Sequence, residues 1–504
     1  MTETAVPRVD FGALNYAILV LYLVAMVAIG WWARGRAKST SGFFVGEGKL
    51  HYVLVGLSLL ATYLSALTMM ALPRVSFGQD DFIWTVQLPC LIITALVITR
   101  FVLPRLREAN VVSVYEFLEQ RIHVSVRLIT SAAFLVLSVG RMALNLFLPA
   151  LALHTILGFD LPTTIVVIAV VVIAFSYIGG IVAVIWTDAI MAVIFTLGAI
   201  VSVVSILSGI GLERFADIAS EHHKFRTFVW DLDWTKKATL WFVLETIFQT
   251  IRIYGTQQDM TQRYMATEST AKANRSVWLA ILGYIPLGFL FYFLGTALFV
   301  FYQAHPDPVV PTLMARKGYA DAVYPWFIVT QLPTGLSGFM VVAIFAASMS
   351  TLSSSLNSGA TVMVEDFYKR LFRRDRSDRH YLMVARVLTA FFGALAIAAG
   401  LALIGRVEQA QDTWNKVMGV STCGVLGLMA LAFLPFRVNT WAALTGFLCA
   451  CACLLYVTTQ TKIIFLLWPV ITSTVCFGVA LALHALLPSE PSAAKAAPAS
   501  GAPK

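Results

Sequence analysis

The chain has 504 residues, of which 59% are hydrophobic and only 12% charged, and its mean hydropathy is +0.80. Soluble domains carry about twice that share of charge, so the composition excludes them and describes a chain built for a bilayer. The net charge of +9 is then a signal of topology, and no nucleic acid partner is expected.

Apolar stretches recur along nearly the whole length, each about 20 residues long, which is what a helix needs to cross the hydrocarbon core. The prediction is an all-α polytopic membrane protein with about thirteen transmembrane helices, near 11–32, 52–75, 82–103, 126–157, 161–178, 183–209, 238–257, 275–302, 336–365, 382–404, 413–435, 440–457 and 463–487. These form one polytopic helical domain over 1–487. The first run, Phe11 to Trp32, is too long for the core of a cleavable signal and is expected to remain as an anchor. The tail 488–504, rich in Ala, Pro and Ser, is expected to be disordered.

Lys and Arg mark cytoplasmic loops. Arg34, Arg36 and Lys38 follow the first span, and Arg100, Arg105, Arg107 and Arg121 follow the third. Lys369, Arg370, Arg373, Arg374, Arg376 and Arg379 follow the ninth, while loops such as 79–81 and 158–161 are poor in basic residues. Odd-numbered spans therefore end in the cytoplasm, with the amino terminus outside and the carboxyl terminus inside.

The second span reads SLLATYLSALTMMALP from Ser58 to Pro73, with Thr62, Ser65 and Thr68 in its interior. The seventh carries Glu245, Thr246, Gln249, Thr250 and Arg252, then passes through Gly255 into Gln257, Gln258 and Asp259. Both are expected to be interrupted, and a broken helix at membrane depth is tolerated only where the freed backbone lines a cavity or binds something. They lie five spans apart, the interval expected if spans two to six recur as seven to eleven in inverted orientation.

Arg141 sits halfway along the fourth span, where an ionisable group costs on the order of 2.5–3.5 kcal/mol to insert. Its guanidinium fork suits a substrate carboxylate; alternatively it pairs inside the bundle, with Glu245 as the partner. Asp188 opens the sixth span and either snorkels or, if it packs on the ninth, becomes a cation ligand. Gln87 in the third span suits a polar substrate or an interhelical contact.

Around the ninth span, the stretch Val341 to Asp366 holds Ser348, Ser350, Thr351, Ser353, Ser354, Ser355, Asn357 and Ser358. On a 3.6-residue helix Ala347, Ser350, Thr351 and Ser354 share one face, and Ser350, Ser353, Ser354 and Asn357 share the next. A row of oxygens suits a small hard cation such as sodium, and small residues equally suit a close helix contact. The six cysteines all fall in apolar segments. Cys449, Cys451 and Cys453 point apart on a helix, so no metal motif is expected there. With no clustered metal ligands and no nucleophile elbow, an enzyme is not expected.

In the order SGFFVGEGKL, SLLATYLSA, LPRLREANVVSVYEFLEQR, LFLPALAL, YIGGIVAVIWTD, YGTQQDMTQRYMA and SMSTLSSSLNSG, the chain resembles the sodium/solute symporter family over most of its length. The resemblance implies the five-plus-five inverted repeat of the sodium-coupled amino-acid symporters, with repeats at 52–209 and 238–435, an extra first helix at 11–32 and two extra helices at 440–487. It implies a first sodium site from the carbonyls of Ala61, Leu64 and Ala347 and the hydroxyls of Ser350 and Thr351. A second would use Asp188, Ser350, Ser353 and Ser354, with sodium as the coupling ion. The GRM at Gly140 to Met142 resembles the bacterial sialic acid transporter branch, which puts Arg141 on a substrate carboxylate and Ser65, Thr68 and Gln87 beside it. Tyr63 is bulkier than the small polar residue of that pattern and is expected to reshape the pocket. The implied activity is sodium-coupled import of a small anionic hydroxylated solute, sialic acid first, by a monomer in the cell inner membrane. A monocarboxylate, pantothenate or proline is the runner-up substrate, and a transporter-like sensor a further alternative.

Overall fold

A computed structural model describes residues 9–78, 82–316, 319–372, 375–407, 413–414, 417–419 and 423–487. The tail 488–504, the loop 79–81, Arg373, Arg374 and part of the expected span 413–435 lie outside the described residues.

The helices that frame the site are α1 (Ala13–Ala33), α2 (Tyr52–Tyr63), α3 (Ala66–Phe77), α4 (Gln87–Val97), α5 (Val124–Leu157), α6 (Leu161–Ile210), α7 (Thr239–Thr256), α8 (Gln258–Met265), α9 (Thr270–Ala304), α10 (Leu336–Val362) and α11 (Asp378–Ala402). After them come α12 (Val425–Ala432), α13 (Thr440–Gln460) and α14 (Trp468–Leu486). Among the described residues no named strand occurs, and a lone bridge joins Leu50 to Thr267.

Nine helices among the described residues are long and apolar enough to cross a membrane, and the pair α2–α3, bent by 53°, adds a tenth. Three features separate this from the thirteen expected. The stretches 161–178 and 183–209 form the two helical arms of α6, parted by the non-helical Gly180 (φ 55°, ψ −154°), and together they count once among the nine. The expected span 238–257 is an 18-residue helix whose Glu245, Gln249 and Arg252 lower its hydropathy, and 413–435 is described only in part.

Gly180 has φ 55°, and a Cβ there would meet Phe43 Cα at 3.1 Å and its carbonyl oxygen at 2.9 Å. Both the left-handed backbone and the close approach require glycine.

The two expected interruptions are present. Between α2 and α3, Leu64 (φ −76°, ψ 143°) and Ser65 (φ −149°, ψ 178°) are extended. Between α7 and α8, Gln257 (φ −90°, ψ 134°) is extended in the same way. Pro73 lies inside α3 without ending it. The break frees the carbonyls that close α2 and the amides that open α3. Thr68 Oγ1 accepts from Ser65 N at 3.3 Å, and Asn145 Oδ1 on α5 accepts from Ala66 N at 3.3 Å.

Helix α10 occupies the middle, buried continuously from Met340 to Val362 against α6, α5, α1 and α11. Its hydroxyl row therefore faces protein on every side and never lipid. On the far side of the break, α9 lies so close to α3 that a Cβ at Gly295 would stand 2.1 Å from the Pro73 carbonyl oxygen. Gly295→Ala is expected to lower the melting temperature of the detergent-solubilised protein. Alanine improves a helix by about 1 kcal/mol, so a loss, typically about 1–3 kcal/mol for overpacking, reports the contact; an unchanged or raised melting temperature would show that α3 and α9 separate freely.

Candidate functional site

The break in α2–α3 opens onto a cavity of about 140 Å³ lined by Tyr63, Ser65, Thr68, Gln87, Arg141 and Thr351 among others. All five residues expected around the substrate thus line one space, together with a hydroxyl from α10. Ser65 caps α3, its side chain and that of Thr68 bonding each other's backbone amides. The first turn of α3 consequently points its amide dipoles at the cavity, an end that favours negative charge. Gln87 Nε2 donates to Tyr292 Oη at 2.5 Å, so it bridges α4 to α9 at the cavity wall. Tyr63 packs edge-on to Tyr284, ring centroids 4.6 Å apart, and tilts on Tyr254 at 5.8 Å. The bulk that the sequence flagged is thereby a wall of tyrosines.

Arg141 is 7% exposed and does have an internal partner, but not Glu245. It forms an ion pair with fully buried Asp259, and its Nε and Nη2 donate to Ser355 Oγ at 3.1 and 3.0 Å. Gln257 Oε1 accepts from Nη1 at 3.4 Å. The helix restarts after Gln257, which delivers Asp259 in the first turn of α8 to α5, while Glu245 stays on α7. Glu245 itself lines the cavity, half-buried. Asn145, one turn beyond Arg141, accepts from Ala66 N, donates to the Arg141 carbonyl at 2.9 Å and receives the Ser348 hydroxyl on its own carbonyl. It ties the break to both α5 and α10, and sequence reasoning passed over it because a lone Asn on an apolar helix has many uses.

Below the cavity, α2 and α10 meet. Thr351 Oγ1 lies 3.3 Å from the Leu64 carbonyl oxygen and 3.5 Å from that of Ala347. Ala61, Leu64, Ala347, Ser350 and Thr351 are all 0% exposed. The groups that meet at Thr351 are hydroxyl and carbonyl oxygens, of the kind that suits a hard monovalent cation.

Asp188 does not snorkel; it is fully buried against the same row. Its Oδ1 accepts from Ser350 at 2.6 Å, and its Oδ2 from Ser58 at 2.6 Å and Arg263 Nη2 at 2.7 Å. Ser354 Oγ also accepts from Arg263 Nη2, at 2.6 Å, and Ser353 Oγ donates to the Ser350 carbonyl at 3.0 Å. Arg263, itself 0% exposed, therefore reaches the oxygen cluster expected for a second cation. In the sequence it is one basic residue in the polar run YGTQQDMTQRYMA, and its closeness to an interruption was the available signal.

A family model described as the sodium:solute symporter family matches residues 43–450. The chain is 32% identical over 445 residues to the sodium/sialic acid symporter SiaT of Proteus mirabilis (strain HI4320), covering 87% of this chain and 88% of that protein. It is 30% identical over 472 residues to the sodium/sialic acid symporter NanT of Aliivibrio fischeri (strain ATCC 700601 / ES114), covering 92% and 91%. In three dimensions it is similar, with TM-score 0.87 and 28% identity over 95% of this chain and 99% of the other, to a Na+-coupled sialic acid symporter solved in a substrate-bound outward-open state that reveals a novel Na+-site. Because the matched region runs through both broken helices and the whole of α10, the protein belongs to the sodium:solute symporter family.

Proposed function

We propose that this multi-pass membrane transporter imports sialic acid, an anionic and hydroxylated sugar acid, together with two sodium ions by alternating access. One observation carries the proposal: Arg141, Ser65, Thr68 and Gln87 line the same cavity as Thr351, whose hydroxyl faces the Leu64 carbonyl at the break. Anion-binding groups and hard-oxygen donors thus share one wall.

The first sodium is held by the carbonyls of Ala61, Leu64 and Ala347 and by Ser350 and Thr351, linking the end of α2 to α10 and so setting the shape of the substrate cavity. Sodium couples to substrate only if its occupancy favours the substrate-competent state. The carboxylate lies between Arg141 and the opening amides of α3, sharing the guanidinium with Asp259. The second sodium uses Asp188, Ser350, Ser353 and Ser354, where it competes with Arg263 for one carboxylate. Repeats at 52–209 and 238–435 rock against each other around these sites, flanked by 11–32 and 440–487. The two interrupted helices five spans apart support that division. The basic loops support an inner-membrane orientation with the amino terminus outside and the carboxyl terminus in the cytoplasm. The protein acts as a monomer and carries out no covalent chemistry.

Stoichiometry decides whether such uptake is useful. A tenfold sodium gradient is worth about 1.4 kcal/mol per ion, and 100 mV about 2.3 kcal/mol per net charge. One sodium with a monoanion moves no net charge and supports about tenfold accumulation; two sodium ions supply about 5 kcal/mol, several thousandfold.

Three substitutions test this. Thr351→Ala raises the sodium concentration for half-maximal uptake into proteoliposomes by about tenfold, the loss of one ligand, with little change in substrate affinity at saturating sodium; an unaltered sodium response removes Thr351 from the site. Asp188→Asn lowers the sodium Hill coefficient from near two toward one, and a coefficient that stays near two excludes Asp188 as a ligand. Arg141→Lys keeps a charge beside Asp259 but gives up the fork, so calorimetry is expected to show N-acetylneuraminate bound on the order of 10–100-fold more weakly. Wild-type affinity in that variant would take Arg141 away from the substrate.

A further inference from the structure

Helix α7 presents Glu245, Gln249 and Thr250 to the cavity. Three fully buried carboxylates of the core each receive at least two donors. Asp188 receives Ser350, Ser58 and Arg263, Asp259 receives Arg141 and the Met260 amide at 3.0 Å, and Asp366 receives Arg127, Ser113 and Ser131. Glu245 receives one hydroxyl, Thr246 Oγ1 at 3.4 Å, and has no ion pair among the described residues. The nearest cation along its own helix, Arg252, is committed elsewhere, with Nε donating to Gln249 Oε1 at 3.0 Å and Nη2 to Met418 Sδ at 3.8 Å.

A carboxylate offers about four acceptor positions, and on Glu245, which lines the cavity, one hydroxyl of the protein reaches them. Water serves while the cavity is open. Once closure expels that water, an ionised carboxylate left without donors is heavily penalised. The solute has to replace the donors, and its own carboxylate is the wrong group, because it would repel Glu245.

We propose that Glu245, which lines the cavity with Arg141 and is opposite to it in charge, is a specificity-determining residue that accepts hydrogen bonds from neighbouring hydroxyls of the solute. The inference rests on the reading above, in which Arg141 takes the carboxylate. It deepens that reading by requiring a bipolar ligand, acid at one end and polyhydroxylated at the other. Simple monocarboxylates lacking donors are then rejected, since a site that leaves a buried polar group unpaired discriminates far more strongly than one that leaves a gap.

The test uses the full-length protein in detergent at saturating sodium chloride. Calorimetry compares N-acetylneuraminate with its analogue whose glycerol side chain is shortened by periodate oxidation and borohydride reduction. Glu245→Gln keeps the shape and removes the charge; Glu245→Asp keeps the charge and withdraws it by one methylene. Each variant is expected to weaken N-acetylneuraminate on the order of 10–100-fold and the shortened acid by less than about threefold. If one variant fails to fold, the other decides. Equal losses for the two acids, or no loss for either, overturn the role of Glu245 while leaving the transport reading intact. If the wild type binds neither acid in a sodium-dependent manner, the transport reading falls and this inference with it.

Discussion

Everything in this molecule depends on a backbone interruption that a bilayer would not tolerate at a lipid-facing position. Freed amides and carbonyls at membrane depth must find partners within the protein. Here the extended pair Leu64–Ser65 finds them in Thr68, Asn145 and Thr351. Because those partners come from α3, α5 and α10, the break is also the point where these helices are held in register. The cavity exists because the chain stops being a helix there.

The buried charges follow the same logic. Arg141, Asp259, Arg263 and Asp188 are all within 8% of complete burial and form two ion pairs, and each arginine also donates to a hydroxyl: Arg141, paired with Asp259, to Ser355, and Arg263, paired with Asp188, to Ser354. Two isolated ion pairs in so dry a setting add little stability on balance, since desolvation offsets most of the attraction. Their effect is rather to make the core conditional. Each pair joins α8 to another helix, α5 in one case and α6 in the other, so a competing cation or anion that displaced one partner would change how α8 is held. That is the property a coupled transporter needs, two arrangements of similar energy that a bound ion or solute can bias.

Much of this was legible in the sequence. The interruptions of the second and seventh spans followed from hydroxyls, glycine and amides at membrane depth, and the depth of Arg141 followed from counting along an apolar run. The hydroxyl row of α10 was visible as helical spacing. What spacing left open was the facing partner. Glu245 was the plausible mate for Arg141 by depth, but the restart of the helix at Gln258 brought Asp259 there instead. Snorkelling and ligation were equally available to Asp188 until its burial beside Ser350 was seen. The spans 161–178 and 183–209 read as two, and the non-helical Gly180 parts α6 between them.

The sequence by itself determined which residues share a face, where the helices must break and that the chain lives in a membrane, because these are properties of local periodicity and of transfer from water to hydrocarbon. Tertiary structure alone decided which face meets which: that Thr351 lies against Leu64, that Arg263 reaches Asp188, and that Glu245 is left facing an open cavity. Those pairings join residues up to nearly three hundred positions apart, and they are selected by how whole helices pack, a choice that no local pattern encodes.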